Sequence, residues 1–427
     1  MPGTNWALAA SSLARAAGAL LLAWCAWTIV STTAATTYAI NDPETALAWE
    51  PSASSALIAL AERRLLAAET AGDLAAADRL AERALIANPL EERGLRLLGF
   101  AADLRGEAGR AGVLMRRAAE RSLRDPVVQA WLFDARVRSG DVARAIDHAD
   151  VMLRTRPELG GRIMPALVRF AEDPAARVPL VAHLAESPPW REWFLTGLSG
   201  RNTPPGAALP VLSALRSTSA PPTDREFKPY LDRLIESGDF ERAHLVWLLF
   251  LPGERLGNLR YIDNGDFERP IGDLPFDWAV SRIGGASTLI ETTGTAGSGK
   301  AVHVVFAGGR VLYRNLAKLL VLPPGSYRLS GDVKTENLVN ERGMVWRVRC
   351  AEKDQALLAE TPAVAGTTPW HPFGQDVVVP ASGCRAQWLT LELAARTAVE
   401  QRVSGEIWFD RLAISRVEGG PVSANGG

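Results

Sequence analysis

The chain has little sulfur, little histidine and almost no net charge. Its 427 residues hold three Cys and five His, and the formal net charge is −1. So balanced a charge excludes the basic footprint of nucleic-acid binding. His148, His183, His244, His303 and His371 are scattered, and no Cys/His cluster has metal-ligand spacing. Asp and Glu are plentiful, but no pair stands out as the acid and nucleophile of a glycosidase. Gly294 to Lys300 nearly spells a phosphate-binding loop. Ala301 then replaces the hydroxyl that would hold Mg²⁺, and Val302 to Phe306 reads as a strand instead of a helix. A turn is the better reading, and no feature of the chain points to an enzyme.

At this length two or three domains with separate cores are expected. One long uncharged run is present. Ala16 to Val30 is apolar, and small residues and Thr extend it to Ala39. A stretch of roughly 20 such residues is enough to cross a bilayer. Arg15 precedes the run and the acidic Asp42, Glu44 and Glu50 follow it. The positive-inside rule therefore keeps the N-terminus in the cytoplasm and exports the rest. The competing reading is a cleaved signal peptide, with Thr37 to Ala39 as a poor cleavage site. In both cases residues 1–40 deliver the body of the protein beyond the cytoplasm, and residues 41–53 are a linker.

From Ser54 to Pro252 the pattern is helical and it repeats. Gly72, Gly106 and Gly140 are evenly spaced. Gly72 is followed by Ala77, Ala84 and Pro89. Gly106 is followed by Ala111 and Ala118, with Leu123 in the place of Pro. Gly140 is followed by Ala145, Met152 and Pro157. Gly closes the turn of a helix pair, Ala lets the helices approach, and Pro ends the second helix. A period of about 34 residues with this spacing resembles the tetratricopeptide repeat. Single repeats cannot bury their apolar faces alone, so the units must stack. The stack is read either as a docking surface for a partner protein or as a spacer. Gly238 to Ala243 looks like a last repeat turn.

After Pro252 the period changes to two. Ten short strands are expected between Trp278 and Ser415, which suggests an antiparallel jelly-roll sandwich over 258–417, followed by a disordered tail, 418–427. Tyr261 to Glu268 is expected to be its opening strand and Gly405 to Asp410 part of its closing strand, with Trp408 beside Phe267 in the core. The expected fold is thus multidomain: an N-terminal transmembrane helix, an all-α repeat arm and an all-β sandwich.

Four motifs carry a resemblance. Asn264-Gly-Asp-Phe-Glu268, Pro275-Phe-Asp-Trp278, Pro324-Gly-Ser-Tyr-Arg-Leu-Ser330 and Ile407-Trp-Phe-Asp410 look like the pattern of bacterial carbohydrate-binding modules of the galactose-binding-like class. The whole layout resembles membrane-anchored repeat proteins of bacterial exopolysaccharide assembly. The resemblance implies a non-catalytic inner-membrane protein with its bulk in the periplasm. Its repeats would meet envelope or polysaccharide-assembly proteins and its sandwich a polysaccharide. It implies a disulfide between Cys350 and Cys384. It also implies a structural calcium near the first and last strands, for which Glu268 and Asp410 are the candidate carboxylates. No other cofactor is expected. A purely protein-binding scaffold is the alternative.

Sugar rings stack on aromatic faces while their hydroxyls pair with polar side chains. The candidates are Trp278, Tyr313, Trp346, Trp370 and Trp388, with Arg347, Arg349, Gln375 and Gln387 beside them. Arg347 and Arg349 alternate with Trp346, Val348 and Cys350, so one strand face carries both Arg, suited to acidic sugars.

Overall fold

The structure is a computed structural model that describes residues 4–204, 206–292, 299–352 and 354–417. The expected tail and most of the Gly294–Lys300 loop lie outside the described residues. The helices are α1 (Thr4–Tyr38), α2 (Pro43–Trp49), α3 (Ser54–Leu66), α4 (Ala71–Ala87), α5 (Glu92–Leu104), α6 (Ala108–Arg121), α7 (Pro126–Arg138) and α8 (Val142–Thr155). A 3₁₀ turn at Pro157–Leu159 leads to α9 (Gly160–Glu172), α10 (Pro174–Leu184), α11 (Arg191–Leu198), α12 (Ala208–Arg216), α13 (Asp224–Glu236), α14 (Phe240–Phe250) and α15 (Gly253–Gly257). The strands are β1 (Trp278–Val280), β2 (Ala286–Thr292), β3 (Lys300–Arg310), β4 (Leu316–Leu320), β5 (Gly325–Val339), β6 (Met344–Cys350), β7 (Leu357–Glu360), β8 (Gly366–Val379), β9 (Gln387–Leu393) and β10 (Arg402–Arg416). The chain divides into two compact units within the helical region, Met1–His183 with Pro188–Trp190, and Leu184–Ser187 with Arg191–Gly427.

In the first unit, turns of a few residues force neighbouring helices antiparallel. The Ala positions of the repeat, Ala77, Ala84, Ala111, Ala118 and Ala145, are all buried. Gly106 and Gly140 have φ of 76° and 73° and close α5 and α7 in the left-handed turn that glycine permits. The Glu107 N–H reaches back to the Ala102 carbonyl, and the Asp141 N–H to that of Arg136. Gly238 repeats this geometry between α13 and α14 in the second unit. Gly72 departs from the expectation. It lies inside the first turn of α4, which a Thr70–Asp73 capping box starts instead.

Residues 41–53, expected as a linker, form α2 and the turn into α3. The helix α2 folds back along α1, bringing the Trp49 ring to 6.0 Å from that of Trp27. Ser31 and Ala35 are buried on one face of α1, and Ala39, just past its end, forms a small core with Ala46 and Ala56. Arg63 of α3 donates to the carbonyls of Ile40 (2.7 Å) and Asn41 (3.0 Å), satisfying acceptors left by the end of α1. The last three turns of α1 are therefore part of the helical stack.

In the second unit, two antiparallel sheets face each other in jelly-roll fashion. One has the order β1-β4-β9-β6-β7 and the other β2-β3-β10-β5-β8. We call them sheet A and sheet B. Trp278, Trp346, Phe409, Phe267, Tyr313 and Tyr327 anchor a large core between them.

Tyr261 to Glu268 is not a strand, which corrects the expectation. It is an irregular loop in which Asn264 and Phe267 have φ of 56° and 53°. Asn264 brackets Arg269 with both side-chain amide atoms, and its carbonyl accepts the Trp278 indole N–H at 2.9 Å. The Gly265 carbonyl accepts the Leu412 N–H at 2.8 Å, and a Cβ at Gly265 would lie 1.9 Å from the Leu412 oxygen. Only glycine fits there.

Cys350 and Cys384 form the expected disulfide, with Cα atoms 5.1 Å apart. It ties the end of β6 to the loop entering β9. A loop of this size stabilises by about 3–4 kcal/mol on the chain-entropy estimate. Replacing both Cys by Ser should lower unfolding stability by that order in denaturant titration, with the fold retained. An unchanged midpoint would show that the staple adds nothing.

Candidate binding face

The structure scatters the sequence-predicted sugar ligands over three places. Trp278, Tyr313 and Trp346 are fully buried in the core, which corrects their assignment. Their positions on β1, before β4 and on β6 point between the sheets, where no ligand reaches. Gln387 is also buried, and its amide binds the Leu322 N–H and the Cys384 carbonyl. Trp370 and Gln375 are half-buried on β8, the edge strand of sheet B.

Arg347, Arg349 and Trp388 come together on the outer face of sheet A. On β9, Leu389, Leu391 and Leu393 enter the core, so Trp388, Thr390 and Glu392 point outward. Arg349 lies directly opposite Trp388, and Arg347 opposite Thr390. Glu392 accepts one bond from each Arg, both at 2.6 Å, and Arg347 also donates to Glu360 at 2.6 Å. Burial opposes the Arg347 charge, but Glu392 and Glu360 outweigh it and raise its pKa. Two Arg against two Glu leave the face without net charge, so the expected suitability for acidic sugars is not met. Trp388 is half-buried, and among the described residues no ring or hydrogen bond occupies it.

Trp408 lies on the outer face of sheet B and not beside Phe267. Its neighbours Ile407 and Phe409 take the core positions. The Trp408 ring stacks on His303 at 4.2 Å, and Lys334 Nζ lies 4.3 Å from its centroid on the next strand. The two nitrogens of His303 meet Glu291 and Glu406, each at 2.8 Å. Sequence reading missed this row, although the alternation of His303 with Val302 and Val304 marks it. With His303 stacked on one side and Lys334 against the ring, Trp408 offers no open face for a sugar.

The two carboxylates considered for calcium are engaged separately. Glu268 accepts the Lys300 N–H at 2.6 Å and Asp410 the Arg411 N–H at 2.6 Å. Burial raises the Asp410 pKa, and Asp332 and Asp266 add to it. Among the described residues no group of three or more His, Cys, Asp or Glu could hold an ion.

α14 and β4 both line a cavity beside Phe276. The rings of His244 and Trp247 lie 5.1 and 5.5 Å from Phe276. The cavity measures about 270 Å³. At its wall Lys318 is buried, donating to the Phe276 carbonyl at 2.7 Å and lying 5.3 Å from the Trp278 ring centroid. Burial pushes the Lys318 amine down to about 8, against the pull of Asp277 and Asp263. Burial, reinforced by Lys318, pushes His244 down to about 4.

No protein-family model matches the chain, and no curated protein matches it. Solved structures resemble it over about a third of its length. A family 4 carbohydrate-binding module aligns over 36% of this chain and 99% of its own, with 16% identity and a TM-score of 0.29. The family 22 xylan-binding domain of Paenibacillus barcinonensis Xyn10C covers 34% and 87%, with 13% identity and a TM-score of 0.23. The C-terminal family 22 module of Clostridium thermocellum Xyn10B covers 36% and 94%, with 11% identity and a TM-score of 0.26. Likeness at this level carries no functional argument.

The buried lysine makes a prediction. Between about 8 and the ordinary 10.5, the unfolded chain binds more protons at this site than the folded one, so stability rises with pH across that window. The full penalty, on the order of 3 kcal/mol, is present below it. Relative to the parent, Lys318→Met should be most favoured below pH 8, and its advantage should shrink toward pH 10.5 in thermal unfolding. A difference that stays constant with pH would contradict the assignment.

Proposed function

We propose that this chain is a non-catalytic envelope protein, held in a bacterial inner membrane by α1 with its bulk in the periplasm. Its sandwich holds a polysaccharide on the outer face of sheet A, and its repeat helices, tetratricopeptide-like in spacing, dock a protein of exopolysaccharide assembly or export. The observation that supports the sugar reading is Trp388. An unoccupied, half-exposed indole stands beside Thr390 and beside Arg349, Arg347 and Glu392, whose polar atoms are held in place by ion pairs. That pairing of an apolar ring with fixed donors and acceptors matches a pyranose, with its apolar face and its rim of hydroxyls. The balanced charge favours a neutral glycan.

Glycan-array screening of the purified full chain, followed by calorimetry on the best ligand, tests this reading. Trp388→Ala should weaken binding about tenfold or more, as for a central aromatic anchor. Trp370→Ala should leave it unchanged. Because both Arg are already paired, affinity should stay nearly constant as salt is raised from low to physiological levels. A folded chain that binds no glycan, or that binds one equally well without the Trp388 ring, would refute it.

A further inference from the structure

One pole of the sandwich, where β3 and β5 end and β10 begins, gathers positive charge. Hydrogen bonds join four connections there. The Asn315 side chain donates to the Ser281 hydroxyl at 2.9 Å, and the Val311 N–H to the Gln401 carbonyl at 2.9 Å. The Asn340 side chain donates to the carbonyls of Glu400 and Arg402, and the Ala394 N–H to that of Gly343. Residues 281–285, 311–315, 340–343 and 394–401 therefore form one continuous end surface. At its strand ends Arg310 lies directly opposite Arg402.

This surface holds Arg282, Arg310, Arg314, Arg342, Arg396 and Arg402 against only Glu341 and Glu400. Glu400 is engaged by Arg342 at 3.0 Å and by the Arg396 backbone N–H at 2.6 Å. The remaining five Arg are exposed and make no ion pair among the described residues. Glu341 is exposed and is the one acid of this surface without a partner among them. Below the loops, Glu336 and Glu406 on sheet B meet Lys334 and His303. The excess is local, since the whole chain carries a net charge of −1. Like charges directly opposite on a ladder repel, so folding alone does not favour the Arg310–Arg402 pair.

Apolar side chains stand among these cations. Val339 is 66% exposed, Val399 65% and Leu312 43%. Val339 pairs with Ser404 on β10, the Val399 carbonyl accepts the Arg402 N–H, and Leu312 follows Val311, so all three flank residues 400–402. A hydrated acidic polymer would meet the Arg but leave these three side chains in water. The boundary of an anionic bilayer takes both, with cations at the headgroups and aliphatic groups just beneath them.

We propose that this pole is a membrane-contact surface of the sandwich, with Leu312, Val339 and Val399 at the headgroup–acyl boundary and Arg282, Arg310, Arg314, Arg396 and Arg402 on anionic lipid headgroups. This rests on the reading of α1 as a membrane span, which puts the chain at a bilayer. The contact is separate from the outer face of sheet A and leaves Trp388 available.

The test uses the full chain in Cys25→Ser form, whose other two Cys are disulfide-bonded, in phosphatidylcholine vesicles with or without phosphatidylglycerol. An environment-sensitive dye is attached at Val399→Cys, or at Val378→Cys, an exposed position near the opposite pole, beside Ser326. With phosphatidylglycerol, the dye at Val399→Cys should shift to the blue and be quenched by lipids bearing a nitroxide near the headgroup, severalfold more than the dye at Val378→Cys. Omitting phosphatidylglycerol should abolish this, as should about 1 M salt, where the Debye length falls to about 3 Å. Changing Arg310, Arg314, Arg396 and Arg402 together to Gln should abolish it too, whereas changing them to Lys should preserve it, because the charge is kept. Absent quenching, equal quenching at the two positions, or quenching indifferent to the Gln changes would each overturn the proposal. So would a response to alginate, a soluble polyanion, where vesicles give none. Release of the chain by alkaline carbonate would refute the span reading alone. Flotation of that released chain with the phosphatidylglycerol vesicles would then support the pole contact, and failure to float would overturn it.

Discussion

A cluster of paired charges joins the last short helix to the sandwich, and much of the second unit depends on it. Asp263 and Asp277 both bind Arg255, and Asp263 also binds Arg269. Burial opposes the Asp263 carboxylate, yet the two guanidiniums outweigh it and hold its pKa below the usual range. Removing one member of such a group leaves an uncompensated charge out of water, which costs more than the intact network contributes. The same few residues order the irregular Tyr261–Glu268 loop, seat Trp278 and bring Gly265 against β10. They also set the field around Lys318, which has no ion-pair partner among the described residues.

The sandwich uses its two outer faces differently. On sheet B the aromatic surface is consumed internally, because Trp408 is stacked with His303 and Lys334 across three strands. On sheet A, His244 and Trp247 of α14 meet Phe276 ahead of β1, while Trp388 and Thr390 on β9 and Arg347 and Arg349 on β6 stay partly exposed. Among them Trp388 is the one candidate aromatic on that sheet left without a partner. Polar neighbours fixed by salt bridges lose little freedom on meeting a ligand, which is the advantage of a preorganised face.

Much of the architecture was legible in the chain. Gly106 and Gly140 marked turns that close helices, and Ala77, Ala84, Ala111, Ala118 and Ala145 marked buried positions on the helices that follow, because small residues where helices meet must recur with the period of the stack, whereas Gly72 fell inside a helix. Period-two alternation found the ten strands, and the resemblance to carbohydrate-binding modules implied the Cys350–Cys384 bond that the structure shows. The failures have physical causes. Asn264 and Phe267 adopt left-handed backbone, which alternation cannot signal, so a loop was read as a strand. Trp278, Tyr313 and Trp346 were offered as ligands because aromatic residues look alike inside and outside a sandwich until the register is known. Trp408 failed in the opposite direction, and a one-residue shift of parity decides such cases. Arg347 and Arg349 were found on the correct face, but their neutralisation by Glu360 and Glu392 comes from strands remote in sequence.

The Cys350–Cys384 bond joins the end of one central strand of sheet A to the entrance of its neighbour. Where thiols are kept reduced, the sandwich must stand without it and is correspondingly easier to unfold. Reduction therefore loosens the end of β6 and the entrance of β9 together, so a reductant acts on two neighbouring strands of one sheet at a single point.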